Sequence, residues 1–202
     1  MIWWKTHTPL LRAFEKARPG RWRTPHKIRD AYWVIDLEFD QLDARKGRIL
    51  SAAAFRIEGG VILLEKSFHA HVNQSDFNQH AIPIHGLRII DLEEGISEGA
   101  MLEALLEGGM GAWWCGHQPS LDKALLEAAM LRYWGEKVRL PFLDTLDLVL
   151  RKDGLQHSPE SVKAGEYALE ALCKRYGVPH FDPHTSAGDA FATAGLLLRV
   201  LE

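Results

Sequence analysis

Two carboxylates interrupt an otherwise apolar run, Tyr32-Trp33-Val34-Ile35-Asp36-Leu37-Glu38-Phe39. Read as a strand, the run puts Val34, Asp36 and Glu38 on one face and Ile35, Leu37 and Phe39 on the other. Acids two residues apart on one face lie ~7 Å apart, repel each other and lose hydration if the strand is central. A divalent cation relieves both costs, because hard ions take carboxylate oxygens as ligands. An edge strand with its acidic face in water is the competing reading, and the Asp-x-Glu pair alone does not decide between them. Two further segments do. Asp122, in Gly116-His117-Gln118-Pro119-Ser120-Leu121-Asp122, falls in the first turn of a helix that follows a short apolar strand. His184 and Asp189, in Pro183-His184-Thr185-Ser186-Ala187-Gly188-Asp189-Ala190, stand before and within the first turns of the last helix. Each acid would also suit a helix dipole, and His184 a cap. The set, in this order, points to metal chemistry.

The elements that must position these groups follow from hydrophobic spacing. Residues 8–17 read as a short helix, with Pro9 in its first turn, stopped by Pro19-Gly20 and followed by a basic linker. The run from Tyr32 is the first strand of a body that begins near Ala31. Arg48–Ile57 and Val61–His71 are strand-like and joined by Glu58-Gly59-Gly60, a hairpin turn. Ser97–Glu107 is a helix with Met101, Leu102, Leu105 and Leu106 on one face; Ala112–Cys115 is a buried strand. Pro119 opens a helix through Trp134, Leu140–Leu143 is a short strand, and helices follow over Thr145–Arg151, Tyr167–Tyr176 and from Thr185 or Ser186 to Leu201. Gly188 and Gly195 within that last helix predict close packing on the sheet. The order implies an α/β fold, a mixed central sheet with helices packed on it.

Composition narrows the class. The chain has 202 residues, 47% hydrophobic and 25% charged, which is globular and not disordered or fibrous. No apolar run approaches the ~18 residues of a membrane span, and the N-terminus lacks a signal-peptide layout. Two cysteines, Cys115 and Cys173, are too few for a disulfide framework or a four-thiolate site. They read as inert core thiols in a reducing, cytoplasmic compartment, with no membrane involved. His69, His71 and His80 have no metal-ligand spacing and read as surface residues. Charge is uneven: residues 1–30 hold eight Lys/Arg against Glu15 and Asp30, although the whole chain is −3. With Trp3, Trp4 and Trp22, that arm suits single-stranded nucleic acid. Its apolar residues, Trp3, Trp4, Leu10, Leu11 and Phe14, favour instead a latch onto the body or a neighbouring subunit, which would make a homo-oligomer.

The three motifs together resemble the DEDD-type 3′–5′ exonucleases, in the branch with a histidine in the third motif. That superfamily includes the proofreading ε subunit of bacterial DNA polymerase III, ribonuclease T and oligoribonuclease. Val34-Ile35-Asp36-Leu37-Glu38 matches the first motif, Gly116 to Asp122 the second and His184 to Ala190 the third. Ile84-His85-Gly86-Leu87 resembles the family's substrate-facing segment, and Phe142 to Leu146 its Asp-Thr-Leu segment. The resemblance runs from about Tyr32 to Leu201, so it makes 31–202 the exonuclease domain and leaves 1–30 as a basic N-terminal helix and linker. It implies a ribonuclease H-like fold. The chain departs from the pattern at Phe39-Asp40-Gln41, where the family often has Thr-Thr-Gly, at Gln118 for Asn, and at Ser186 for Ala.

What the resemblance implies is hydrolysis of the last phosphodiester at a 3′ end of DNA or RNA, releasing nucleoside 5′-monophosphates. Two Mg²⁺ or Mn²⁺ ions would be held by Asp36, Glu38, Asp122 and Asp189 and would clamp the attacking and leaving oxygens. His184 would be the general base. Leu37, Phe39, His85 and Leu87 would contact the terminal nucleotide, although Leu37 and Leu87 are equally natural core residues. The partner is single-stranded or 3′-ended nucleic acid, and ε-like chains add a DNA polymerase. Two other classes compete: a glycosidase, which needs paired acids but neither four carboxylates nor the histidine, and a non-catalytic nucleic-acid- or polymerase-binding module with the same fold.

Overall fold

The structure, a computed structural model, describes residues 9–19, 27–74, 89–155 and 165–202. His85 and Leu87 lie outside the described residues, as do Trp3, Trp4, Trp22 and His80. Five strands form one sheet in the order β3-β2-β1-β4-β5, with β1 Tyr32–Phe39, β2 Ile49–Glu58, β3 Val61–His71, β4 Trp113–Gly116 and β5 Phe142–Asp144. The first three are an antiparallel meander, and Gly59 and Gly60 turn the β2–β3 hairpin with φ of 60° and 84°. β4 then pairs parallel with β1, and β5 parallel with β4, as strands joined by helical crossovers do. β1 is therefore central, flanked by an antiparallel neighbour and a parallel one, and the edge-strand reading of its acids is excluded.

Seven helices complete the described residues: α1 Pro9–Ala17, α2 Ile89–Glu93, α3 Glu98–Gly108, α4 Ser120–Trp134, α5 Thr145–Lys152, α6 Leu169–Tyr176 and α7 Ser186–Leu201. Alternation along β1 sorts them. Trp33, Ile35 and Leu37 point to the face covered by α1, α3 and α4, in one core with Leu11, Phe14, Leu102, Leu105, Leu125 and Leu126. Tyr32 and Val34 point the other way, onto Ala194 and Leu197 of α7 and Leu148 of α5. α6 packs on the far side of α7 through Leu172 and Leu196. Cys115 and Cys173 are buried, and burial pushes both thiols up, Cys173 to about 11, so neither is a reactive thiolate. No helix among the described residues is long and apolar enough to cross a membrane.

One helix was not anticipated and one expectation changes. The five-residue α2 carries too little periodicity to be found from sequence. Gly188 and Gly195 do face close neighbours, but not the sheet. A Cβ at Gly188 would collide with the carbonyls of Phe181 and Asp182, and one at Gly195 would lie 2.7 Å from Val178. Both glycines let α7 seat against the 178–182 loop, while Ala190 and Ala194 take the sheet side. The N-terminal helix packs on the body: Leu11 is 2% and Phe14 1% exposed, and the Phe14 ring meets Trp114 edge-on at 6.0 Å. Arg18 Nη1 also donates to the carbonyl of Arg139 at 2.8 Å. For these residues the helix and the body share one core across residue 30. Phe14→Ala should therefore cost about 3–5 kcal/mol of unfolding free energy in urea titrations; a loss under about 1 kcal/mol would mean that α1 only rests on the surface.

Candidate active site

Asp36 and Glu38 project from the α7 face of β1, where burial alone would already resist their ionisation. The Asp36 carboxyl is pushed well above the carboxylate range by burial first, then by the charges of Asp122, Asp189 and Glu38. Glu38 rises to about 8, again by burial first and then by Asp189 and Asp122. The four acids that sequence placed on three separate segments thus stand close enough to repel one another. Asp122 lies in the first turn of α4 and is raised to about 6 by burial, pulled back by its own amide and that of Leu37. The second contact has a structural origin. β4 ends at Gly116, and beyond it the Leu37 amide is met by Asp122 instead of by a strand.

The second motif is fastened from below. The Gln118 amide donates to Asp144 Oδ1 at 2.9 Å, as does the Leu146 amide, so Asp144 caps α5 and ties the 117–119 turn to β5 at once. Burial lowers the pKa of His117, leaving it neutral. Its Nε2–H then donates to the Tyr167 carbonyl at 3.0 Å, and Nδ1 accepts from the Thr145 hydroxyl at 2.8 Å. Gln118, at φ 52°, occupies a left-handed position that asparagine adopts more readily.

The third motif begins α7. Thr185 caps the helix by accepting from the Gly188 amide at 3.1 Å. Ser186, which stands where the family has Ala, is 1% exposed, and its hydroxyl is satisfied by Ser51 of β2 at 2.7 Å. The departure is thus compensated, and it pins the start of α7 to the sheet next to Glu38. His184 is exposed, at φ 63°, and its amide rather than its ring donates to Asp189 Oδ1, at 3.3 Å. The imidazole on Asp189 belongs to His180, whose Nε2 lies 2.6 Å from Oδ1. Sequence reasoning missed His180 because eight residues separate it from Asp189; the spacing His180-x-x-x-His184 ahead of an acid was the available signal.

Of the residues expected to touch substrate, Leu37 is 4% exposed and belongs to the core on the opposite face of β1 from the acids, so its side chain offers no surface to a base. Phe39 is half-buried and packs on that same core. Asp40 is buried, and its Oδ1 accepts from the Arg48 amide at 2.8 Å, closing the turn that replaces the family's Thr-Thr-Gly. A cavity of about 520 Å³ adjoins Glu38, lined among others by Ser51, His69, His71, Asp182 and Thr185. Two histidines read as plain surface residues therefore border the site.

Among the described residues no three histidine, cysteine or carboxylate side chains already form a ready-made metal-ligand group. The donor set nevertheless fits a hard cation: acids that hold protons because they are buried together are what a divalent ion would stabilise in ionised form.

The sequence pattern of the exonuclease family matches residues 33–197. The DNA polymerase III subunit epsilon of Aquifex aeolicus is 27% identical over 187 residues, covering 87% of this chain and 85% of that protein. The PolC-type DNA polymerase III of Thermotoga maritima is 25% identical over 170 residues, 84% of this chain but 12% of that much longer protein. Among solved structures, Escherichia coli exonuclease I in complex with a dA16 oligonucleotide superposes with a TM-score of 0.66 at 18% identity, over 82% of this chain and 39% of that one. The superposition gives the ribonuclease H-like fold of mixed sheet and flanking helices. With the Asp-x-Glu of β1, Asp122 of α4 and the His184/Asp189 pair at α7 on the family's pattern, this chain belongs to the exonuclease family, of the DEDD type.

Proposed function

We propose that this chain is a metal-dependent 3′–5′ exonuclease that removes nucleoside 5′-monophosphates one at a time from DNA or RNA. The observation that carries the reading is the meeting of four acids at one end of the sheet: Asp36 and Glu38 share a face of the central strand, and burial together with the charges of Asp122 and Asp189 pushes both of their carboxyls up. Asp36, Glu38 and Asp189 would hold one divalent ion, and Asp36 with Asp122 a second. Bound there, Mg²⁺ or Mn²⁺ supplies Lewis acidity and a water of lowered pKa. The chain's own residues do the rest. His184, on its turn before α7, takes the proton of the attacking water on a ring nitrogen. The water oxygen joins the terminal phosphorus while the bond to the 3′ oxygen of the penultimate nucleotide breaks, and that oxygen leaves with a proton. The cavity beside Glu38, bordered by His69 and His71, has the volume of a small-molecule site and receives the departing nucleotide. A relative named as a DNA polymerase III subunit supports a DNA polymerase as partner, and the oligonucleotide complex of exonuclease I supports single-stranded nucleic acid.

The test is a digestion series on single- and double-stranded DNA and RNA oligonucleotides, labelled at either end, with Mn²⁺ or with EDTA. A 5′-labelled strand should shorten in single steps with mononucleotide release, and EDTA should stop it. Failure to shorten any strand at saturating Mn²⁺ would leave the non-catalytic binding module as the reading; cleavage unaffected by EDTA would exclude metal dependence.

A further inference from the structure

We propose that His180 is a positioning residue for the metal site, fixing Asp189 so that a single carboxylate oxygen is presented to a divalent ion. The inference rests on the exonuclease reading above, but His180 belongs to none of the three motifs. Asp189 Oδ1 receives two donors, the His180 imidazole at 2.6 Å and the His184 amide at 3.3 Å. Neither lands on Oδ2. A carboxylate that ligates a metal can only accept, so in that state His180 Nε2–H is the donor of the short contact, and such charge-assisted bonds are the stronger kind. The side chains of His180 and Asp189 are 12% and 20% exposed, so water competes little for the bond.

The loop is built to hold this contact. The chain leaves α6 through Gly177 at φ 64°, and Asp182 and His184 follow at 46° and 63°, three left-handed residues that fold the loop back over the start of α7. The Thr185 hydroxyl donates to the Asp182 carbonyl at 2.7 Å, and Gly188 has no Cβ to keep the Phe181 and Asp182 carbonyls away. His180 is thereby carried on the same rigid turn that places His184. The two histidines divide the work. His184 stands exposed with its ring free to meet solvent and substrate, whereas His180 points inward and sets the direction of a ligand. Carboxylates that ligate metals generally need such outer partners, and losing one lowers metal affinity by about 10–100-fold.

Mn²⁺ binding, measured by isothermal titration calorimetry on the full chain, tests this directly. His180→Ala should bind Mn²⁺ about 10–100-fold more weakly than the parent. His180→Gln should recover most of the loss, because its amide nitrogen can stand where imidazole Nε2 stood. Turnover of His180→Ala should return to within a few-fold of the parent at saturating Mn²⁺, with an unchanged pH profile, as befits a residue acting through the metal. The metal-free His180→Ala protein should still melt in a single cooperative transition, a few degrees below the parent, which separates the effect from misfolding. Parent-like Mn²⁺ affinity in His180→Ala, or a loss that His180→Gln fails to relieve, would overturn the assignment while leaving the exonuclease reading standing. A parent chain that neither binds Mn²⁺ nor cleaves would take both down.

Discussion

Asp36→Ala should turn over at less than about a thousandth of the parent rate with saturating Mn²⁺, and yet melt higher than the parent when divalent metal is withheld. The first effect follows from the position of Asp36 among the other three acids, where it is the one group shared by both proposed ion sites. The second follows from the cost of keeping that group. Burial and three neighbouring acids, Asp122, Asp189 and Glu38, oppose its charge, and removing the group removes that cost. A gain of about 2 kcal/mol, roughly 4–8 °C in melting temperature, is the expected scale. The sign depends on pH. An unfolded glutamate ionises near 4.5, whereas folded Glu38 keeps its proton to about 8. The folded chain therefore binds more protons in between, so its stabilisation is complete below about pH 4.5 and lost as pH rises through about 8. Metal-free parent protein should melt progressively lower across that window, and Glu38→Gln should flatten the decline. Scanning fluorimetry in EDTA at several pH values reads all of this; a metal-free parent that becomes more stable from pH 5 to pH 8 would show that the acids do not form the cluster described.

The next largest effect belongs to His184. Replacing it should lower kcat by ~10²–10⁴, the usual worth of a positioned general base, with little change in KM. Glycine is the better replacement than alanine. His184 sits at φ 63°, a conformation that costs a residue with a Cβ about 1–2 kcal/mol, so His184→Gly removes the imidazole and relaxes the turn together. An activity loss with unchanged or higher stability then cannot be a folding defect. The residual rate should climb with pH as hydroxide replaces the missing base. If the variant instead raises KM and leaves kcat nearly intact, the ring contacts the phosphate and moves no proton.

Much of the framework was legible because its signals are local. β1 was found over its full length since six of its eight residues are β-branched, aliphatic or aromatic, and the two carboxylates stood out against them. α4 and α7 were found from their caps and apolar spacing. What the sequence left open concerns relations between segments. Alternation placed Leu37 on the face opposite the acids, as observed, but did not say that α1, α3 and α4 cover that face. Helical glycines announced a close neighbour but not which one, because a missing Cβ carries no address. His180 reaches Asp189 only because the intervening loop turns back through two left-handed residues, Asp182 and His184, neither of them glycine. Nothing in residue type alone signals that reversal.

The pairing pattern also determines where the chain can be rebuilt. β1 and β4 run parallel in register from Tyr32↔Trp113 to Val34↔Cys115, so the 39–48 and 117–119 turns leave the sheet on the same side, the side of the acids. The Gly59–Gly60 hairpin leaves at the opposite end, next to Tyr32↔Ile57. Lengthened or exchanged loops at the first two positions would reshape the walls of the cleft while the strands stay fixed. A fluorophore or fused domain inserted at the hairpin would ride on the far end of the sheet, away from any strand of nucleic acid being held. The sheet thus separates a face open to diversification from a handle for engineering.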